Sequence, residues 1–143
     1  MYTVLIAHHD VSFAELLATA LRSSGYVAVI TCPGPWPPQR CVRCDKGYCP
    51  LTESADLMVY DPTLVSLDPD GRLHNLAIDS ALAHPEVPML LAWPPDSVPD
   101  ADTVRELRAH APHVQVAAPA PEALLHQVRA LLRRTGTQVE LIT

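Results

Sequence analysis

Five short apolar runs recur along the chain, at residues 2–7, 26–31, 57–60, 87–93 and 114–118, and helical periodicity separates most of them. A run with no polar alternate position cannot leave one face in water, so each suits a strand covered on both sides. Strands of that kind, alternating with helices, form a parallel sheet sandwiched between two helical layers. In such folds ligands collect beyond the carboxyl ends of the strands. The residues that follow the runs are therefore the ones to weigh: His8, His9, Cys32, Asp61, Trp93 and Ala118.

The helices are legible from their own patterns. Ser12 and Glu15 have the spacing of a capping box, and Phe13, Leu16, Leu17, Ala20 and Leu21 repeat as a stripe that predicts the buried face of a first helix. Gly25 is placed to end it. Residues 73–83 carry a weaker helical pattern. A third helix is expected near 99–110, burying Val104 and Leu107, with Asp100 and Asp102 at its positive end. Pro121 suits the first turn of a last helix that buries Leu124, Leu125, Val128, Leu131 and Leu132 and ends at Arg133-Arg134. Residues 1–135 form the domain in this reading, and 136–143 a tail without a regular element.

Between Cys32 and Ser54 neither period survives. CPGPWPPQRCVRCDKGYCPLTES is a proline-rich loop, and a loop of that length inside a compact domain needs something to order it. It holds all 4 cysteines of the chain, Cys32, Cys41, Cys44 and Cys49. A C-x2-C pair aims two thiolates at one ion, and two further thiolates complete a tetrahedral site. Structural zinc is the leading expectation, because metal binding supplies the folding energy that the loop lacks. An iron–sulfur cluster is the alternative: Cys32-Pro33 and Cys49-Pro50 have the Cys-Pro edge of ferredoxin-type ligation. Over this loop alone, the cysteine order resembles that of WhiB-like cluster proteins. Reversible disulfides and unliganded thiols are the remaining choices. Arg40, Arg43 and Lys46 lie among the cysteines, placed to offset an anionic centre or to meet an acidic partner or a nucleic-acid phosphate. Trp36 and Trp93 are expected to pack as cover.

The segments VLIAHHDVSFAELLATALRSSGY, ADLMVYD, PMLLAW and AAPAPEALLHQVRALLRR resemble response-regulator receiver domains over roughly residues 2–134. The resemblance implies a flavodoxin-like three-layer α/β sandwich with a five-stranded sheet in the order 2-1-3-4-5. The cysteine loop stands where a second helix is due. Receivers hold Mg²⁺ on an acidic pair after the first strand and phosphorylate an aspartate after the third. A hydroxyl after the fourth strand and a lysine after the fifth assist. By this resemblance Asp61 occupies the acceptor position, His8 and His9 replace the acidic pair, Trp93 or Ala92 replaces the hydroxyl residue, and Ala118 replaces the lysine. A carboxylate attacks phosphorus only when the surrounding negative charge is neutralised, so no useful autophosphorylation is expected. A weak Mg²⁺ site on Asp10 and Asp61, and a transition-metal site on His8, His9 and Asp61, are the pocket's other readings.

Composition narrows the function further. With 16 acidic against 10 basic residues the net charge is -6, which disfavours non-specific nucleic-acid binding. No apolar run reaches the ~20 residues of a membrane helix, and no leader pattern precedes the first run, so a cytoplasmic protein is expected. No Gly-rich phosphate loop, nucleophile elbow or H-E-x-x-H pattern occurs. The expected function is a non-enzymatic, non-phosphorylatable regulatory module that binds protein partners. The resemblance implies a homodimer through residues near 102–134.

Overall fold

The computed structural model describes residues 1–25, 27–35, 50–68 and 70–142, and side chains as far as Arg133. The elements run β1 (Tyr2–Ala7), α1 (Val11–Arg22), β2 (Val27–Cys32), a 3-10 helix (Pro50–Ser54), β3 (Leu57–Tyr60), β4 (Val65–Leu67), β5 (Leu73–Asn75), α2 (Leu76–Ala83), β6 (Met89–Leu91), α3 (Ala101–His110), β7 (Val114–Val116) and α4 (Pro121–Ile142).

The main sheet is parallel, with the order β2-β1-β3-β6-β7. With the small hairpin β4–β5 set aside, these are the five expected strands in the expected order. The strict alternation along each strand divides the core in two. Val4, Ile6 and Val59 face α1 and α4, where they meet Leu17, Leu21, Leu124 and Val128. Leu5, Ala7, Met58 and Tyr60 face the opposite layer and meet Leu76, Ala77, Ala81 and Leu107 of α2 and α3. Each fully buried Leu or Ile contributes about 1.5–3 kcal/mol. Within the second layer Ser80 Oγ donates to Tyr60 Oη at 3.1 Å, so these two buried hydroxyls meet each other.

Several expectations are corrected. Helix α1 is capped by Asp10, whose side chain accepts from Phe13 N at 3.1 Å, and not by Ser12. The cap lies two residues earlier because Asp10 ends the β1 turn and its carboxylate is the better acceptor. The buried stripe is consequently Ala14, Leu17, Ala18 and Leu21, while Leu16 is 72% exposed. The segment at 73–83 is a short strand followed by a helix. The antiparallel hairpin that holds that strand turns through Asp68–Arg72, where Asp68 Oδ1 accepts from the N–H groups of Asp70 and Arg72 and Gly71 takes a positive φ of 82°. Residues 50–54 of the expected loop form a 3-10 helix that leads into β3. Helix α4 runs through Gly136 to Ile142, so no irregular tail begins at 136. Of the cysteine loop, Cys41, Cys44, Cys49, Arg40, Arg43, Lys46 and Trp36 lie outside the described residues.

Candidate functional site

The site grows from the end of β1. Parallel pairing carries β1 out beside β2 and β3, so His8, which follows Ala7, and Asp61, which follows Tyr60, emerge side by side. The register is locked by two backbone bonds: His8 N donates to Cys32 O at 2.9 Å, and Asp61 N donates to Ala7 O at 2.8 Å. Cys32, half-buried at the end of β2, is thus tied to the same corner. Ala92 N donates to Tyr60 O at 2.9 Å, which brings the end of β6 alongside.

Both His8 and Asp61 are fully buried, so their polar atoms must find partners inside the protein. They do. His8 Nε2 lies 2.8 Å from Ala92 O, and Asp10 N donates to His8 Nδ1 at 3.0 Å. A carbonyl can only accept and a backbone N–H can only donate. The imidazole is therefore neutral, with its proton on Nε2. Burial lowers the pKa of His8 below its ordinary value of 6.5, against the opposing pull of Asp61. Phe13 covers the ring, 4.8 Å away between centroids, and His9 stacks at 5.4 Å.

Asp61 has both carboxylate oxygens engaged. Oδ1 accepts from Thr63 N at 2.8 Å and from Thr63 Oγ1 at 2.6 Å. Oδ2 accepts from His9 N at 3.2 Å and pairs with His9 Nδ1, and His8 Nδ1 lies 3.8 Å from it. Burial alone would raise the pKa of this carboxyl. The Thr63 bonds and the two histidines outweigh it, so the group stays ionised below the usual carboxylate value.

The other expected positions carry no compensating chemistry. The cleft between the ends of β6 and β7 is lined by Phe13, Ala92, Trp93, Pro94, Ala118 and Pro119 among others. Among the described residues that line it, the one side-chain hydroxyl, that of Ser97, is spent on Pro94 O at 2.9 Å. Trp93 is half-buried. At the lysine position, Ala118 N donates to Gln127 Oε1 at 2.9 Å, while Gln127 Nε2 donates to Val116 O at 3.0 Å. Asp10 is committed to capping α1. His8, His9 and Asp61 are thus brought together, whereas Trp93 and Ala118 only wall the cleft. Thr63 and Gln127 were missed from the sequence. The first was legible in Asp61-Pro62-Thr63, the spacing of an aspartate that bonds its own backbone two residues on.

No protein-family model matches the chain. No curated protein matches it either. Solved structures do. A protein assigned to pilus assembly (CpaE) from Burkholderia thailandensis superposes with a TM-score of 0.62 at 19% identity, covering 93% of this chain and 99% of its own. A CheY-like response-regulator receiver domain from Methanospirillum hungatei gives 0.62 at 15% identity, covering 96% and 98%. A pilus assembly-related protein from Burkholderia pseudomallei gives 0.58 at 20% identity, covering 92% and 89%. The chain has the receiver fold. The Mg²⁺ that such a fold implies does not fit here. Mg²⁺ requires hard oxygen ligands, and where a receiver supplies an acidic pair this chain supplies two imidazoles.

Proposed function

We propose that this chain is a pseudo-receiver: a regulatory module that binds protein partners and does not accept a phosphoryl group. The observation that carries the reading is the double engagement of Asp61. An in-line attack on phosphorus needs a carboxylate oxygen with a free lone pair and a cation to neutralise the incoming phosphate. Here Thr63 holds one oxygen and His9 the other. No metal-binding acidic pair and no lysine stand at the matching positions.

The test uses the full chain in Mg²⁺ with acetyl phosphate, read by intact mass, and with beryllofluoride, read by ¹⁹F NMR. No adduct is expected with either. An aspartyl phosphate on Asp61 overturns the reading.

The rest of the proposal concerns what the module carries and meets. Cys32, Cys41, Cys44 and Cys49 form a metal centre, with zinc as its ion, that orders the loop after β2. Anaerobic purification followed by elemental analysis tests this. One zinc per chain in a colourless protein, lost in the Cys41→Ser variant, is expected, and a brown protein containing iron and sulfide points to a cluster sensor instead. A homodimer through residues 102–134 belongs to the same reading. Only Leu107 of α3 is fully buried, which leaves Asp102, Arg105, Glu106 and Arg108 facing outward for a partner. Light scattering decides the oligomeric state. Among the described residues no helix is long and apolar enough to cross a membrane, and a cytoplasmic site of action is proposed with the rest.

A further inference from the structure

We infer that His8, His9 and Asp61 form a second metal site, selective for a late first-row divalent ion such as Zn²⁺ and separate from the cysteines. One ligand atom from each of the three residues lies within 4.8 Å of the others, and two of the three residues are fully buried. Donors about 2.1 Å from a tetrahedral ion lie about 3.4 Å apart, so the 3.8 Å from His8 Nδ1 to Asp61 Oδ2 needs a small contraction, while His9 Nδ1, now in hydrogen-bond contact with Oδ2, must swing back to admit the ion.

The orientation of the ligands is what distinguishes this cluster from a chance grouping. A metal-binding imidazole gives its remote N–H to a fixed acceptor, which sets the tautomer and aims the other nitrogen at the ion. His8 already does this, with Nε2 on Ala92 O at 2.8 Å and Nδ1 turned toward Asp61. The carboxylate is steadied in the same way, because Thr63 holds Oδ1, while Oδ2, the ligand atom, keeps the His9 N–H at 3.2 Å and exchanges the His9 ring for the ion. Phe13 packs on the His8 ring and keeps it from turning away. Binding displaces two hydrogen bonds, the Asp10 N–H donated to His8 Nδ1 at 3.0 Å and the one between His9 Nδ1 and Asp61 Oδ2, and it takes the proton from His9 Nδ1. Two imidazoles and one carboxylate suit Zn²⁺, Co²⁺, Ni²⁺ or Cu²⁺, not Mg²⁺. Three protein ligands leave a fourth position for water or a partner's side chain. A pocket that has no use for phosphate thereby gains an input of a different chemistry.

The inference does not depend on partner binding or on the cysteine centre, and its test separates it from both. The full-length ¹⁵N-labelled chain is stripped of metal and titrated with Zn²⁺, while long-range ¹H–¹⁵N spectra follow the histidine ring nitrogens. Nδ1 of His8 and of His9 is expected to move to metal-bound shifts, and His9→Ala is expected to bind one Zn²⁺ fewer than the parent. Asp61→Asn is expected to weaken this site by about tenfold or more. The inference is overturned if the parent takes up Zn²⁺ with every histidine nitrogen unmoved, or takes up none. Circular dichroism confirms that each variant folds. Should His9→Ala fail that check, the ring-nitrogen shifts of the parent decide alone.

Discussion

Thr63 donates both its backbone N–H and its hydroxyl to a single oxygen of Asp61, at 2.8 and 2.6 Å. The two bonds hold a fully buried charge at the end of β3 without help from any cation at the lysine position. Thr63→Ala removes the hydroxyl bond and keeps the backbone one, and should cost about 1–2 kcal/mol of stability in urea denaturation. The effect has a sign in pH. A carboxyl held below 3.8 contributes stability that is present above that value and lost as pH falls through the folded-state pKa. The variant should begin to lose stability at a higher pH than the parent. Identical acid transitions would mean that the hydroxyl bond contributes nothing.

Two adjacent leucines should behave oppositely. Leu17 is packed under the sheet and Leu16 is 72% exposed. Leu17→Ala is expected to cost about 2–5 kcal/mol, and Leu16→Ala to stay within about 0.5 kcal/mol. Equal losses in chemical denaturation would contradict the helix orientation described above.

On the β4–β5 hairpin, His74 Nε2 bonds Asp68 Oδ2 at 2.9 Å. This bond raises the pKa of His74 above 6.5, with Asp79 adding to the effect, and it lowers that of Asp68. The ion pair is therefore complete between the two shifted values. It is lost as pH rises through that of His74 or falls through that of Asp68. An NMR titration of Asp68→Asn should show the His74 midpoint moving down toward 6.5. A midpoint that does not move would sink the assignment.

Gln127 fastens α4 to the sheet edge by serving Ala118 N and Val116 O at once. Gln127→Ala leaves both backbone groups to find water and should destabilise the fold by about 1–3 kcal/mol. Gln127→Glu keeps the acceptor and loses the donor, so it should fall between the parent and the alanine variant. Thermal unfolding ranks the three.

The sheet was readable because its strands are apolar at every position and leave no choice of face. Leu57–Tyr60 was placed to the residue for that reason. Helix α1 was harder, since Leu16 and Leu17 fit a stripe equally well and only the position of the cap decides between them. The hairpin was missed although Asp68-Pro69-Asp70-Gly71 is strong turn chemistry. Its strands are three residues each, too short to show alternation. Within the pocket, the positions of His8, His9 and Asp61 followed from strand ends alone. The carbonyl of Ala92 did not, because a backbone acceptor has no signature in the side-chain sequence.

Gly34, two residues past β2, has a φ of 72°, and a Cβ built on it would stand 2.6 Å from a methyl of Leu64, three residues beyond Asp61. The stem of the cysteine segment and the turn that holds the buried carboxylate therefore share one interlocked joint. Anyone moving that segment into another protein would have to carry the Leu64 side chain with it. A transplant cut at Cys32 and at Pro50 would take the notch and leave the knob behind.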